Sequence, residues 1–263
     1  MPQNMRSKYN DNPDGQPRQL LVGTQSRADL HLMESTFPAS PNLQPDAYGV
    51  VLATVYDGLA SLYSGGAIGT CKHWGVAHIP ADESALFVGA GAAAECLEPV
   101  RRGVRCHILD SSPAMLRRAR RRLHRSKHEG HVQFHLGDAR VLPTHETYDA
   151  VVAHFFLNTF CQQSMPRVLA SLLTYLRPGG LLVLADFAPV PQRTDAASVG
   201  CFWQSLYHDL PMHLFSRWTG SDVHPVHDLP AVACSMGATL VAQRTFRLAG
   251  IGPAWFGSWV LSK

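Results

Sequence analysis

The sequence predicts an α/β fold on a mostly parallel sheet, and three observations carry that prediction. The first is the stretch Ser84 to Asp110, S-A-L-F-V-G-A-G-A-A-A-E-C-L-E-P-V-R-R-G-V-R-C-H-I-L-D. It holds an apolar run (Ala85 to Val88), two glycines, a helical stretch from about Ala92 to Arg101, and a second apolar run from about Val104 that ends on Asp110. This order is half of a mononucleotide-binding βαβ unit. The second observation is that three further apolar runs follow, each bounded by turn residues. The third is a closing pair of strand-like runs around Ala249-Gly250-Ile251-Gly252-Pro253, expected to form an antiparallel hairpin. Together they predict a seven-stranded sheet, mostly parallel, with an antiparallel last strand.

In chain order, residues 1–44 are expected to be a polar tail and 45–263 the folded domain. From Pro45 the residues Tyr48, Val51, Leu52, Val55, Tyr56, Leu59, Leu62 and Tyr63 recur at helical spacing, and Ser64-Gly65-Gly66 interrupts them. Ile68 to Trp74 reads as one or two more helical turns, so that 45–80 forms a helical N-terminal layer. Gly89 and Gly91 allow a sharp backbone turn and close approach to a ligand, and the helix after them offers free N–H groups. Asp110, at the end of the second strand, suits a ribose diol. Ala94 stands where a dinucleotide loop carries its third glycine, which leaves NAD open as far as this loop goes.

The third strand is expected over His131 to Leu136, before Gly137-Asp138-Ala139, and Tyr148-Asp149 opens the fourth. Leu176-Arg177-Pro178-Gly179-Gly180 precedes the fifth, L-L-V-L-A-D-F. Residues 190–228 form an insertion; its 196–219 part is apolar and helical in pattern, and Pro211 is expected to kink it. Asp228 to Met236 is the next helix, with Gly237 as its stop. Thr239 to Phe246 and Trp255 to Leu261 are the last strands.

No apolar run is long enough to span a membrane, and the polar N-terminus lacks an apolar signal core. The six cysteines are scattered without a C-x-x-C pair, so they are expected to be reduced core residues of a cytoplasmic protein, with no metal site. The net charge is +3, but basic residues crowd the stretch Arg101 to Lys127. One reading is a nucleic-acid patch. The favoured one is the solvated face of a helix whose Met115, Leu116, Ala119 and Leu123 face the sheet, since no aromatic residues are interleaved to stack bases.

The G-x-G loop, G-D-A, Y-D and R-P-G-G signals, in this order over residues 84–190, resemble the class I S-adenosylmethionine-dependent methyltransferases. A narrower resemblance covers about 48–263. The pieces L-Y-S-G-G-A-I (62–68), A-L-F-V-G-A-G (85–91), H-F-F-L-N-T-F (154–160), L-A-D-F-A-P (184–189), H-P-V-H-D (224–228) and G-P-A-W-F-G-S-W-V-L-S-K (252–263) are similar to the methyltransferase domain of ovothiol synthases and its free-standing relatives. Phe87, where most of the class carries an acid, fits that group. The chain departs from it at Ala93 (usually glycine), His154 (asparagine) and His227 (tyrosine).

The resemblance implies a Rossmann-like fold with N-terminal helices over the cofactor cleft and S-adenosylmethionine as cofactor. It implies N-methylation of a small imidazole amino acid, the π nitrogen of 5-thiohistidine or 5-selenohistidine. Gly89, Ala90 and Gly91 would pass under the methionine part of the cofactor. Asp110, with Ser111 beside it, would take the ribose hydroxyls, and Met115 would pack on adenine or in the helix core. Asp138 and Ala139 would meet the adenine amino group, and His154 and Phe155 would end the fourth strand beside the sulfonium. Asn158 and Asp186 are the expected catalytic residues. Tyr56, Tyr63, Phe187 and His224 are expected around the substrate with them. The expected partner is a small molecule, with neither nucleic acid nor membrane. Methylation of another small metabolite, RNA methylation through the basic helix and a non-catalytic cofactor-binding role are the competing readings.

Overall fold

The computed structural model describes residues 63–126, 129–140, 146–189, 224–248 and 251–263. The expected tail, Tyr48, Tyr56, Cys201 and most of the insertion, including Pro211, lie outside the described residues.

β1 (Ser84–Val88), β2 (Arg105–Asp110), β3 (Val132–Leu136), β4 (Tyr148–His154) and β5 (Leu176–Phe187) pair in parallel. β6 (Thr239–Leu248) and β7 (Ile251–Ser262) form the closing hairpin, and the order across the sheet is β3-β2-β1-β4-β5-β7-β6. β7 is antiparallel to both its neighbours. The burial pattern follows this order. All seven residues of β4 are buried, as expected for a central strand covered on both faces. Edge strand β6 is largely exposed.

Alternate residues of each central strand feed two cores. Ala85, Phe87, Ala150, Val152 and Val183 pack with Val76 of α1 (Ala67–Val76), Val100 of α2 (Leu97–Arg101), and Leu116, Ala119 and Leu123 of α3 (Pro113–Arg125). Leu86, Val88, Val151, Ala153, Leu182 and Leu184 pack with Val168, Leu169 and Leu172 of α4 (Met165–Thr174), and with Leu229 and Ala233 of α5 (Leu229–Ser235). Fully burying one such leucine or phenylalanine contributes about 1.5–3 kcal/mol. Ser112 caps α3, its Oγ accepting from Met115 N at 3.3 Å, and Asp228 caps α5 by accepting from Ala231 N at 3.2 Å. The apolar side of α3 faces the sheet as expected, with Arg117, Arg120 and Arg121 exposed.

Several boundaries differ from expectation. The helix after the glycine loop does not start at Ala92. Ala93 has φ 50°, in the left-handed region, so the turn runs one residue longer and a 3₁₀ turn, Ala94–Cys96, leads into α2. β5 starts at Leu176, not at Leu181. Tyr148 pairs with Leu176 and Ala150 with Leu181, so Arg177–Gly180 bulge out of the ladder between two paired stretches. β6 and β7 are longer than expected because Leu248 pairs with Ile251. Among the described residues the cysteines are free thiols, but Cys161 is only half-buried and Cys234 is exposed, so these two are not core residues. No described helix is long and apolar enough to cross a membrane.

Candidate functional site

The strand order reverses between β1 and β4, and open α/β sheets receive their ligands at such a switch point, beyond the carboxyl ends of the strands. The glycine loop leaves β1 there. Gly89 has φ 59° and Gly91 φ 55°, a conformation that strains any other residue. A Cβ on Gly89 would strike the Phe156 ring. A Cβ on Gly91 would stand 4.0 Å from Met115 Sδ, so the buried Met115 lies against the loop. Ala90 is buried.

Asp110 ends β2 and holds the loop. Its Oδ2 accepts from Gly91 N at 2.8 Å and its Oδ1 from Ser112 N at 2.8 Å. An ionised carboxylate has about four acceptor sites, so these two bonds do not by themselves saturate it. Ser111 beside it is exposed. Asp138 and Ala139 follow β3. Asp138 grips Arg140, accepting from its backbone N and Nε at 2.9 Å and forming an ion pair with its Nη2. Partial burial opposes the charge on Asp138, but Arg140 holds its pKa below the usual carboxylate range. Ala139 is buried, its carbonyl accepting from Tyr175 Oη at 3.4 Å.

His154, the last residue of β4, does not stand among open polar groups. It is buried against α1, its Nε2 3.3 Å from where a Cβ on Gly75 would be. Its Nδ1 lies 3.5 Å from Glu95 Oε1, and Glu95 also meets Lys72 Nζ at 3.2 Å. Neither ring nitrogen of His154 makes a hydrogen bond. Burial pushes the His154 pKa down against the pull of Glu95, so the ring is neutral. Burial opposes ionisation of Glu95, yet the Lys72 ammonium beside it outweighs this, and Glu95 stays well below the usual range.

Phe155 follows with φ 53° and donates its backbone N–H to Ala185 O at 2.7 Å. Its ring meets Phe187 at 5.7 Å and Phe256 at 5.8 Å, both tilted well away from parallel. Tyr63 packs on this cluster with Cys71, Trp255 and Phe246. Cys71 donates to Gly257 O, and burial keeps it a thiol by raising its pKa.

Asn158 and Asp186, far apart in sequence, are brought together. Asp186 is fully buried, and its Oδ1 accepts from Phe187 N at 2.9 Å. Burial raises its pKa to about 6, against the opposing pull of the Asn158 amide and the Phe187 N–H. The amide approaches without bonding: Asn158 Nδ2 and Asp186 Oδ2 both lack a hydrogen bond. Asn158 Oδ1 accepts from His227 N at 3.0 Å, which fixes the amide's orientation. The His227 ring reaches Phe160 O from Nε2 at 2.9 Å and stacks on His224 with centroids 4.3 Å apart. His224 is thus joined to Asn158 through His227.

Sequence reasoning missed Phe156, Glu95, Lys72 and Phe256 as neighbours of the site. Glu95 alone left a trace, as an acid inside the small-residue run A-A-A-E-C. Tyr56 lies outside the described residues. Among the described residues no histidine, cysteine and carboxylate group is assembled that could hold a metal ion.

Residues 85–180 match the family model of a methyltransferase domain. No curated protein matches the chain. Among solved structures, an O-methyltransferase family protein from Burkholderia thailandensis is 15% identical with a TM-score of 0.61. That match covers 82% of this chain and 61% of the other, so this chain spans less than two thirds of its length. The 1,6-didemethyltoxoflavin-N1-methyltransferase of the same organism, solved with 1,6-didemethyltoxoflavin and S-adenosylhomocysteine, is 16% identical. Its TM-score is 0.57, with 86% of this chain and 93% of that one covered. The [4+2]-cyclase SpnF is 13% identical at TM-score 0.57, covering 86% and 97%. At these identities the structures share the fold, and the cyclase among them separates fold from activity. Residues 85–180, which hold the glycine loop and four of the parallel strands, thus match a methyltransferase domain, on a sheet whose fold the solved methyltransferases share.

Proposed function

We propose that this chain methylates a small imidazole amino acid on nitrogen, the substrate being 5-thiohistidine or 5-selenohistidine and the acceptor its π nitrogen. The observation that carries this reading is that Asn158, whose amide bears on Asp186, and Asp186 itself are buried with a donor (Nδ2) and an acceptor (Oδ2) that lack hydrogen bonds. Leaving such groups without partners is costly; the ring N–H can donate to Asp186 Oδ2 and the chalcogen can accept from Asn158 Nδ2, which leaves the π nitrogen's lone pair for the methyl group.

The residues present fit S-adenosylmethionine: the two left-handed glycines give a loop open to close approach, and Asp110 places a carboxylate at the end of β2. Gly89, Ala90 and Gly91 would hold the methionine part, Asp110 and Ser111 the ribose, and Met115, Asp138 and Ala139 the adenine. Asp138 would share its carboxylate between Arg140 and the base. The cofactor supplies an electrophilic methyl group on a good leaving group, so the chain mainly has to orient the acceptor. Asp186 accepts the N–H of one ring nitrogen and thereby keeps the lone pair on the other. Phe155, Phe187 and Phe256 offer an apolar wall for a flat ring and exclude water.

In a 5-thiohistidine the sulfur is the stronger nucleophile, so selectivity for nitrogen must come from positioning. Asn158→Ala is therefore expected to slow turnover and to raise the share of S- or Se-methylated product; chromatographic separation of the isomers reads this. A variant as fast and as N-selective as the wild type would remove Asn158 from the site. Tyr63→Ala is expected to lower the rate several-fold while the chain still folds. A variant that melts earlier at full rate would make Tyr63 a packing residue only.

The direct test incubates the protein with S-adenosylmethionine and a panel of imidazole amino acids and looks for a gain of one methyl by mass. No gain on any imidazole would sink the reading. A second reading, N-methylation of a larger flat nitrogen heterocycle, is favoured by the aromatic wall and by the toxoflavin-precursor enzyme among the similar folds. Heterocycles of that kind in the same panel separate the two.

A further inference from the structure

Lys72 links the turn after the β1 loop to the end of β4. It stands on α1, outside the glycine motif. Its ammonium is 3.2 Å from Glu95 Oε1, on the turn that follows the β1 loop. It also lies over the ring of Phe155, the first residue beyond β4, 5.8 Å from the centroid. The side chain of Glu95 is 4% exposed and that of Lys72 21% exposed, so the carboxylate is sealed in and the cation stands at the rim.

We propose that Lys72 binds the carboxylate of the cofactor's methionine part. The assignment rests on the methyltransferase reading and adds to it a residue that no glycine-loop motif contains. The charges around the crevice point the same way. Glu95 and Asp186 are acids, and Lys72 bears on both. Of the other nearby cations, Arg122 meets the outer side of the loop at Ala92 O, 2.8 Å away, and Arg140 is engaged by Asp138. S-adenosylmethionine carries a sulfonium, an ammonium and a carboxylate, a net charge of +1, which two acids and one lysine complement. Without Lys72 the incoming carboxylate would face Glu95 and Asp186 uncompensated. Half-burying a Lys–Glu pair is costly in itself, which fits a pair kept for a ligand better than one kept for stability.

The test is a four-way binding comparison by calorimetry on the full chain. Wild-type protein and Lys72→Met are each titrated with S-adenosylhomocysteine and with its decarboxylated analogue, which keeps the amine. The wild type should favour S-adenosylhomocysteine by about 10-fold or more, the range of a charge-assisted hydrogen bond. Lys72→Met should lose that preference while holding the decarboxylated ligand within about 2-fold of wild type, as expected when only the charged partner is removed. Lys72→Arg should restore most of it. A wild type that binds both ligands equally would overturn the assignment whatever the variant does. A variant that loses affinity for both ligands equally would overturn it too, since Lys72 would then only brace the loop. Failure of the wild type to bind either ligand would strike the methyltransferase reading itself.

Discussion

Replacing Asp110 by alanine is expected to weaken S-adenosylhomocysteine binding by at least about 100-fold, the largest loss from any single change in the cofactor cleft. A hydrogen bond to a charged group is worth about 1.5–3 kcal/mol, and each 1.4 kcal/mol is tenfold in affinity. The proposed ribose contacts supply two such bonds. Asp110 also accepts from Gly91 N and Ser112 N, so its removal frees the glycine loop and the start of α3 together. Asp110→Asn keeps one acceptor oxygen and should fall between the wild type and alanine. Calorimetry with all three chains checks the order. Unchanged affinity in Asp110→Ala would withdraw the ribose role.

Asp186→Asn should have opposite effects on rate and stability. The wild-type carboxyl has its pKa raised to about 6 from an ordinary value of 3.8. In the role proposed for it the ionised form works, so kcat/KM should rise with pH and level off above about 6. Asparagine cannot ionise, and the variant should lose that inflexion with roughly 100-fold or more of the rate, the usual range for a positioned acid–base group. Stability runs the other way. Between pH 3.8 and about 6 the native state binds more protons at Asp186 than the unfolded chain, so stability falls as pH rises through that window. Above it the full penalty stands, about 3 kcal/mol for a shift of this size. The asparagine variant escapes it and should melt higher than wild type at pH 7.5 and no higher near pH 4. A variant that melts lower at pH 7.5 would mean that Asp186 is held by contacts that favour its charge.

The α/β class and the strand order followed from local signals: apolar runs, glycines and strand-end acids. Asp110 was legible because it ends a strand at a fixed distance from the loop. Asn158 and Asp186 were singled out from short matching pieces, but their juxtaposition comes from tertiary packing, since β5 runs beside β4. His154 ends β4 as expected, but its surroundings were hidden for a related reason. A strand's last side chain points to one face or the other, and the face depends on register; here it turns toward α1 and Glu95. Ala93 stands where the resembling group has glycine, but an alanine in sequence does not show the left-handed φ that delays the helix start. Lys72 left no trace in sequence, because a lone lysine on a helix reads as a solvated residue.

The closing hairpin also dictates how the chain must be made. β7 lies between β5 and β6, yet it is made after both of them. β6 emerges earlier and has no place in the sheet until β7 arrives. Throughout that interval the Leu181–Phe187 stretch of β5 presents a bare apolar edge, the kind of edge that invites aggregation. Asp186 pairs in the ladder with Gly257 and Phe187 with Phe256, so the acid of the cleft takes up its surroundings only after β7 has been made. Nascent chains halted before residue 256 should therefore be the forms that most need a chaperone.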